Sequence, residues 1–100
     1  MSVYDHIQID PLLEAFTCLN GKKEFAAFLE DLLTAKEIGD IAQRLEVAKR
    51  LSKQEKYARI AEETGVSTAT ISRVNRSLVY GSGGYRLVLK RLAEQEQPQC

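Results

Sequence analysis

The sequence is poor in the residues from which catalytic and metal sites are usually built. Its 100 residues include no tryptophan, one histidine and two cysteines. A single histidine, His6, supports neither a Ser–His nor a Cys–His arrangement, and no cluster of His, Cys or Asp has the spacing of metal ligands. Cys18 and Cys100 do not suggest the disulfide framework of a secreted domain. We therefore expect a protein that is not an enzyme and that holds no metal or cofactor.

Long apolar runs are also missing. No stretch approaches the roughly 20 consecutive apolar residues that span a membrane, so no membrane partner is expected. The first ten residues, MSVYDHIQID, lack the basic start and the apolar core of a signal peptide, which predicts a cytosolic protein. A chain of this length makes one domain with a modest core, so oligomerisation is a reasonable expectation.

The sequence has no net excess of either charge, yet its charges are unevenly distributed. Residues 1–43 hold three Lys and eight Asp or Glu, a net charge of −5, and residues 44–91 hold eleven Lys or Arg and four Glu, a net charge of +7. Two glutamates in residues 92–100 bring the total to zero. Lysine and arginine bind nucleic acid by neutralising nearby phosphates, so the position of the positive charge matters more than the total. Taken alone, the asymmetry also fits an ordinary charged surface.

Apolar residues recur at spacings of three and four along most of the chain, which predicts an all-α fold of about six helices. Asp10 and Pro11 have the composition of a helix start, with Asp10 as the cap and Pro11 at the first helical position. Residues 22–33 carry a broad apolar stripe, which indicates either core or a subunit interface. The last helix is predicted at residues 84–94.

A longer helix is predicted from Thr34 to about Leu51. Thr34 and Glu37 have the spacing of a capping box, in which each side chain accepts a hydrogen bond from the backbone N–H of the other residue. The buried stripe predicted for this helix consists of Ile38, Ile41, Ala42, Leu45, Ala48 and Leu51.

Residues 56–78 have the pattern of a helix-turn-helix. Residues 64–66 make the corner, and Ser67 is a suitable N-cap for the second helix. Ala61 lets the two helices approach because its side chain is small, and Gly65 can take the positive φ of the corner. The apolar residues predicted to lock the two helices together are Ile60, Val66, Ile71 and Val74.

The second helix of this motif has a short, basic outward face without carboxylates. Such a face fits a DNA major groove, where arginine pairs with guanine and the methyl groups of alanine or threonine meet thymine. The residues predicted to reach base edges are Thr68, Ala69, Ser72, Arg73 and Arg76, with Thr70 and Asn75 on the flanks. Those predicted to contact phosphates, near the start of the first helix, are Lys53, Lys56, Tyr57 and Arg59.

A helical corner of this kind also has a use that does not involve DNA. The alternative is a protein-interaction module, such as an accessory factor of transcription or replication machinery, in which the second helix meets protein. The two functions differ in salt dependence, because DNA binding through several Lys and Arg weakens steeply as salt rises.

Residues 33–78 resemble the tryptophan repressor (TrpR) superfamily, and within it the TrpR-related branch called YerC/YecD. The resemblance is carried by Leu33-Thr34, Glu37 and Arg44, by Ala69-Thr70-Ile71-Ser72-Arg73, and by Asn75-Arg76-Ser77-Leu78. It implies a Trp-repressor-like intertwined homodimer, in which two helix-turn-helix heads meet successive major grooves of a palindromic operator in double-stranded DNA. The single domain of residues 1–100 would then comprise dimerisation helices (10–51), the helix-turn-helix (56–78) and a C-terminal helix (84–94). The implied function is a sequence-specific transcriptional regulator that acts as a repressor.

The resemblance also implies a ligand site. The founding member binds L-tryptophan between the long helix and the recognition helix, and the matching positions here are Thr34, Arg44, Thr70, Arg73 and Ser77. Two guanidinium groups can sandwich an indole ring, and one can hold a carboxylate. The founding member has a glycine beside the indole where this chain has Val74, whose branched side chain would occupy ring space. The sequence therefore disfavours L-tryptophan or a related corepressor, and Arg44 could instead form a surface ion pair.

Overall fold

The structure, a computed structural model, describes residues 8–96, and His6 and Cys100 lie outside them. The described residues contain no strand, and the predicted all-α class is confirmed. None of their helices combines the length and the apolar character needed to cross a bilayer. The helices are α1 (Asp10–Thr17), α2 (Gly21–Leu32), α3 (Ala35–Ser52), α4 (Tyr57–Thr64), α5 (Thr68–Tyr80) and α6 (Gly84–Glu96).

The chain forms two compact units that divide within α3, the first ending at Ile38 and the second starting at Gly39. In the first unit, aromatic rings join α1 to α2. The ring centroids of Phe16 and Phe25 lie 6.4 Å apart, and Phe28 meets Phe16 edge-on at 5.5 Å. No residue in the described part of this unit is buried, so much of its apolar surface stays open in the single chain.

The start of α1 differs from the prediction by one residue. Asp10 is the first helical residue, and Ile9 holds the cap position without a side-chain hydrogen bond. The helix starts there because the carbonyl of Ile9 accepts a hydrogen bond from the N–H of Leu13 at 3.0 Å. Asp10 instead places its carboxylate in the first turn, where the helix dipole favours negative charge. Pro11 is consequently the second helical residue, one position later than predicted, and still lies in the first turn.

The capping box predicted before α3 is confirmed. The backbone N–H of Thr34 donates to Oε1 of Glu37 at 2.9 Å, and the N–H of Glu37 donates to Oγ1 of Thr34 at 3.1 Å. Two free backbone donors at the helix start are thereby satisfied.

The core of the second unit lies between α3 and the two helices of the helix-turn-helix. All four residues predicted to lock the motif are buried in it, which confirms that part of the prediction. α3 contributes Val47 and Ala48, and Tyr85 and Leu89 of α6 pack against the cluster. The buried residues are Val47, Ala48, Ile60, Val66, Ile71 and Val74.

The buried face of α3 was predicted only in part. Ala48 is buried, but Ile41 and Leu45 are 49% and 36% exposed, and Val47, which the predicted stripe omitted, is fully buried. The helix carries two neighbouring apolar stripes, and spacing alone does not determine which of them meets α4 and α5.

The corner between α4 and α5 is specified by backbone and side chain together. Gly65 ends α4 at φ +75°, in the left-handed region, and its N–H donates to the carbonyl of Ala61 at 2.9 Å. Thr64 Oγ1 donates to the carbonyl of Ile60 at 2.6 Å and accepts the N–H of Val66 at 3.2 Å. These bonds fix the direction in which α5 leaves the corner.

Replacing Gly65 by Ala is expected to lower the free energy of unfolding by about 1–2 kcal/mol, because an L-residue in the left-handed region brings its Cβ too close to the backbone. Beyond Gly65 and its two chain neighbours, a Cβ built there meets no atom within 4 Å, so no tertiary packing clash adds to this cost. Urea unfolding measures the loss. Gly65→Asn is the control and should lose less, because asparagine tolerates this region better than alanine. Equal losses in the two variants would contradict the explanation.

Candidate nucleic-acid interface

The start of α5 is set by Ser67. Its Oγ accepts a hydrogen bond from the N–H of Thr70 at 3.2 Å, and its hydroxyl lies 3.1 Å from that of Thr70. The predicted N-cap is confirmed. Thr70 is half-buried and its hydroxyl already bonds Ser67, so Thr70 is less available to a base edge than the exposed residues of the set.

The two faces of α5 differ as the sequence predicted. Ile71 and Val74 are buried on the inner face, and all five residues predicted to reach base edges are exposed on the other. Four of these five side chains lie together along a shallow groove with a volume of about 390 Å³. The groove is lined by Ala69, Ser72, Arg73, Asn75, Arg76 and Tyr80. Sequence reasoning did not select Tyr80, although its position four residues after Arg76 was a usable signal.

The residues predicted to contact phosphates differ in their freedom to do so. Lys53, Lys56 and Tyr57 are exposed and form no ion pair within the described residues. Arg59 is also exposed, but its Nε lies 3.0 Å from Oε2 of Glu63 and 4.0 Å from Oε1 of Glu55. The guanidinium of Arg59 is therefore already paired, and a phosphate would have to compete with two carboxylates for it.

Arg50 is the centre of an ion-pair network that joins α3, the connection after it, and α4. Its guanidinium contacts carboxylate oxygens of Glu46 at 2.9 Å, Glu55 at 3.3 Å and Glu63 at 2.5 Å. The hydrogen bonds with Glu63 and Glu46 raise the pKa of Arg50 above its ordinary value. On the other side, the hydrogen bond from Arg50, followed by the charge of Arg59, lowers the pKa of Glu63. The network orients α4, and with it the corner, against the end of α3.

Ion pairs distinguish two groups among the basic residues of the second unit. Lys49, Arg50 and Arg59 have carboxylate partners. Arg73 and Arg76, on the open face of α5, form no ion pair with any residue in the range 8–96. Positive charge that is free to meet an anion is thus found on the face predicted to read DNA.

Glu63→Gln is expected to lower the free energy of unfolding at neutral pH. In acid the wild type and the variant should become more nearly equal in stability. The pKa of Glu63 is lowered in the folded chain. Such a group contributes stability above its unfolded pKa, near 4.3, and the contribution is lost as pH falls through the folded pKa. Urea unfolding of the wild type and the variant, at about pH 7 and about pH 3, measures the difference. Glu62→Gln is the control, because Glu62 has no partner among the described residues. A difference that is unchanged at low pH would contradict the role of the network.

A second cavity lies behind the same helix. Four of the five positions matching the family's ligand site, namely Arg44, Thr70, Arg73 and Ser77, line a space of about 330 Å³ together with Val74 and Tyr85. Val74 is also part of the buried core. Tyr85 comes from α6, and sequence reasoning did not select it for this site. Arg44 forms no ion pair within the described residues, so the surface ion pair considered for it is not found there.

The fifth position, Thr34, belongs to the first unit. Its hydroxyl oxygen accepts the N–H of Glu37 and its N–H donates to the Glu37 carboxylate, so both groups serve the start of α3. A structural role thus accounts for this residue without a ligand.

Comparison with known proteins gives a consistent picture. A family model described as Trp repressor protein matches residues 7–93. The uncharacterized protein YerC of Bacillus subtilis is 45% identical over 89 residues, which are 89% of this chain and 86% of that protein. Two crystal structures share the fold. One is a TrpR-like protein from Eubacterium eligens, with 46% identity, a TM-score of 0.83, and coverage of 94% of this chain and 97% of the other. The second is a putative Trp repressor from Staphylococcus aureus, with 38% identity, a TM-score of 0.86, and coverage of 93% and 96%.

Proposed function

Because the chain belongs to the Trp repressor family, we propose that it is a cytosolic, sequence-specific DNA-binding transcriptional regulator. It places α5 in the major groove and represses by occluding the site. The observation that carries this proposal is the outward face of α5, where Arg73 and Arg76 are exposed and free of ion pairs among the described residues. That face is presented by a corner whose inner residues are fully packed.

Sequence readout is assigned to the exposed face of α5. Arg73 and Arg76 can each donate two hydrogen bonds to O6 and N7 of a guanine. Ala69 and the methyl group of Thr68 can contact the methyl group of thymine, and the hydroxyl of Ser72 can meet a donor or an acceptor. Because the inner face of α5 is buried, these side chains enter the groove on a rigid support.

Positioning on the DNA is assigned to the phosphate contacts. Lys53 and Lys56 lie just before α4 and form no ion pair within residues 8–96, and the exposed Tyr57 can donate its hydroxyl. Contacts of this type orient the protein and do not read sequence. Arg59 is the weakest member of the set, because Glu63 and Glu55 already hold it.

The functional unit is proposed to be a homodimer on a palindromic operator. Support comes from the first unit, where apolar side chains on α1 and α2 remain exposed in the single chain. They include Leu12, Leu13, Phe25 and Leu32. A second copy would bury such a surface and supply the second reading head, and two heads match two half-sites about one helical turn apart.

Selection from random-sequence duplexes with the purified protein tests the proposal. We expect enrichment of a two-fold symmetric sequence. The logarithm of the association constant for this sequence should fall linearly with the logarithm of the salt concentration, with a slope of about −0.9 per phosphate contacted. Lack of enrichment at low salt, together with binding to a protein partner through α5, would instead establish the interaction-module alternative.

We further propose that the two helix-turn-helix heads of the dimer keep their DNA-binding orientation without L-tryptophan. The cavity beside α5 has the arginines and hydroxyls for a small anionic ligand, but Val74 forms part of its wall. Titration calorimetry with L-tryptophan, at up to about millimolar concentration, is expected to give no heat with the wild type. Val74→Gly should bind it, provided that circular dichroism finds the variant folded. Binding by the wild type would refute the blocked-pocket explanation.

A further inference from the structure

The last residue of α5, Tyr80, extends the face proposed to read DNA. Residues 69, 73, 76 and 80 follow one another at spacings of four, three and four, which places them on one side of a helix. The structure agrees, because Tyr80 lines the same groove as Ala69, Arg73 and Arg76. Tyr80 is 83% exposed, and its hydroxyl has no hydrogen-bond partner within residues 8–96. A large aromatic side chain is thus presented to solvent beside two guanidinium groups that form no ion pair within the described part of the chain.

The end of α5 is held firmly. The N–H of Gly81 donates to the carbonyl of Ser77 at 2.9 Å, and the guanidinium of Arg86 donates to the carbonyls of Leu78 at 3.0 Å and Val79 at 2.8 Å. These bonds satisfy carbonyl groups that a helix end otherwise leaves free. Tyr80 therefore projects from a helix end whose last carbonyl groups are already hydrogen-bonded within the chain.

The length of α5 places Tyr80 at the edge of the groove. A helix rises 1.5 Å per residue, so Tyr80 lies about 18 Å along the axis from Thr68. The major groove is about 12 Å wide and 8.5 Å deep, and a recognition helix contacts base edges with its N-terminal residues. When Thr68 and Ala69 reach the bases, Tyr80 stands at the rim, where the sugar–phosphate backbone runs.

We propose that Tyr80 is a phosphate clamp, whose hydroxyl donates a hydrogen bond to one backbone phosphate while its ring packs against the adjoining deoxyribose. The assignment rests on the proposed function of α5. It adds a contact that fixes how deeply the helix enters the groove, and it carries no sequence information of its own.

The test compares Tyr80→Phe, which removes only the hydroxyl, with Tyr80→Ala and with the control Val79→Ala. Val79 is exposed and adjacent but does not line the groove. Affinity is measured by fluorescence anisotropy on the duplex selected by the wild type and on a scrambled duplex. Tyr80→Phe is expected to bind both duplexes with about tenfold lower affinity, because a hydrogen bond to a charged group is lost. Tyr80→Ala should lose more, and Val79→Ala should bind like the wild type.

A scan with single methylphosphonate linkages, which remove one backbone charge at a time, then locates the phosphate. One position should weaken the wild type and cause no further loss in Tyr80→Phe. Wild-type affinity in both Tyr80 variants overturns the clamp and leaves the proposed function intact. A loss confined to the selected duplex also overturns it, because Tyr80 would then read a base. If the wild type binds neither duplex, both the proposed function and the clamp are refuted.

Discussion

Arg73→Ala combined with Arg76→Ala is expected to reduce affinity for the selected operator by about 100-fold or more, since each bidentate arginine–guanine pair contributes about 1–3 kcal/mol. Both arginines lie exposed along the outer groove of α5 and form no ion pair within the described residues. Their loss should not disturb the fold, because neither side chain belongs to the core. Anisotropy titration on the operator and on a scrambled duplex measures the effect, which should be larger on the operator.

Two controls separate recognition from overall charge. Lys90→Ala with Arg91→Ala removes the same charge from the exposed surface of α6 and should cause a far smaller loss. Lys53→Ala with Lys56→Ala should weaken binding to both duplexes alike. It should also reduce the salt dependence of the association constant by about one unit of slope for each lysine. If the α6 variant lost as much affinity as the α5 variant, binding would depend on net charge and not on a reading face.

Ile71→Ala is expected to lower the free energy of unfolding by about 2–5 kcal/mol, the range found for truncating large buried aliphatic side chains. Ile71 is fully buried and lies in one cluster with Ile60 and Val47, so its removal opens a cavity between all three helices that hold the motif. This is a large share of the roughly 5–15 kcal/mol that stabilises a typical domain. Urea unfolding at a fixed protein concentration measures it, since any dimerisation makes stability concentration-dependent.

Ile71→Val is the matched control for this substitution. It keeps the branched side chain and removes one methyl group, so a loss of about 0.5–1.5 kcal/mol is expected. The alanine variant should also lose operator affinity, because α5 is no longer held against α3 and α4. A loss below about 1 kcal/mol in Ile71→Ala would contradict the packing described for the motif.

Local patterns in the sequence were enough to predict the features that depend on a few neighbouring residues. The Thr34–Glu37 capping box, the Ser67 cap and the positive φ of Gly65 each involve groups within one helical turn. The buried residues of the helix-turn-helix were predicted for the same reason, because two short helices around a fixed corner leave one inner face. Local chemistry is therefore sufficient to specify these elements.

Features that depend on tertiary placement could not be predicted in this way. The pairing of Arg50 with Glu63 joins residues thirteen positions apart, and it changes which arginines remain available to phosphates. Val47 is buried because of the side from which α4 and α5 approach α3, and this is not encoded in the spacing of α3 itself. The proximity of Tyr85 to Arg44 likewise depends on where α6 returns.

Val74 lies both in the hydrophobic core and in the wall of the cavity beside α5. A lineage that evolved toward a larger ligand would need a smaller residue here, yet the same substitution removes packing from the helix-turn-helix. The order of substitutions is therefore constrained, since stabilising changes elsewhere must come before or with the change at position 74. A glycine at position 74 is therefore expected to be tolerated only in a sequence background that is stable enough to compensate for the lost packing.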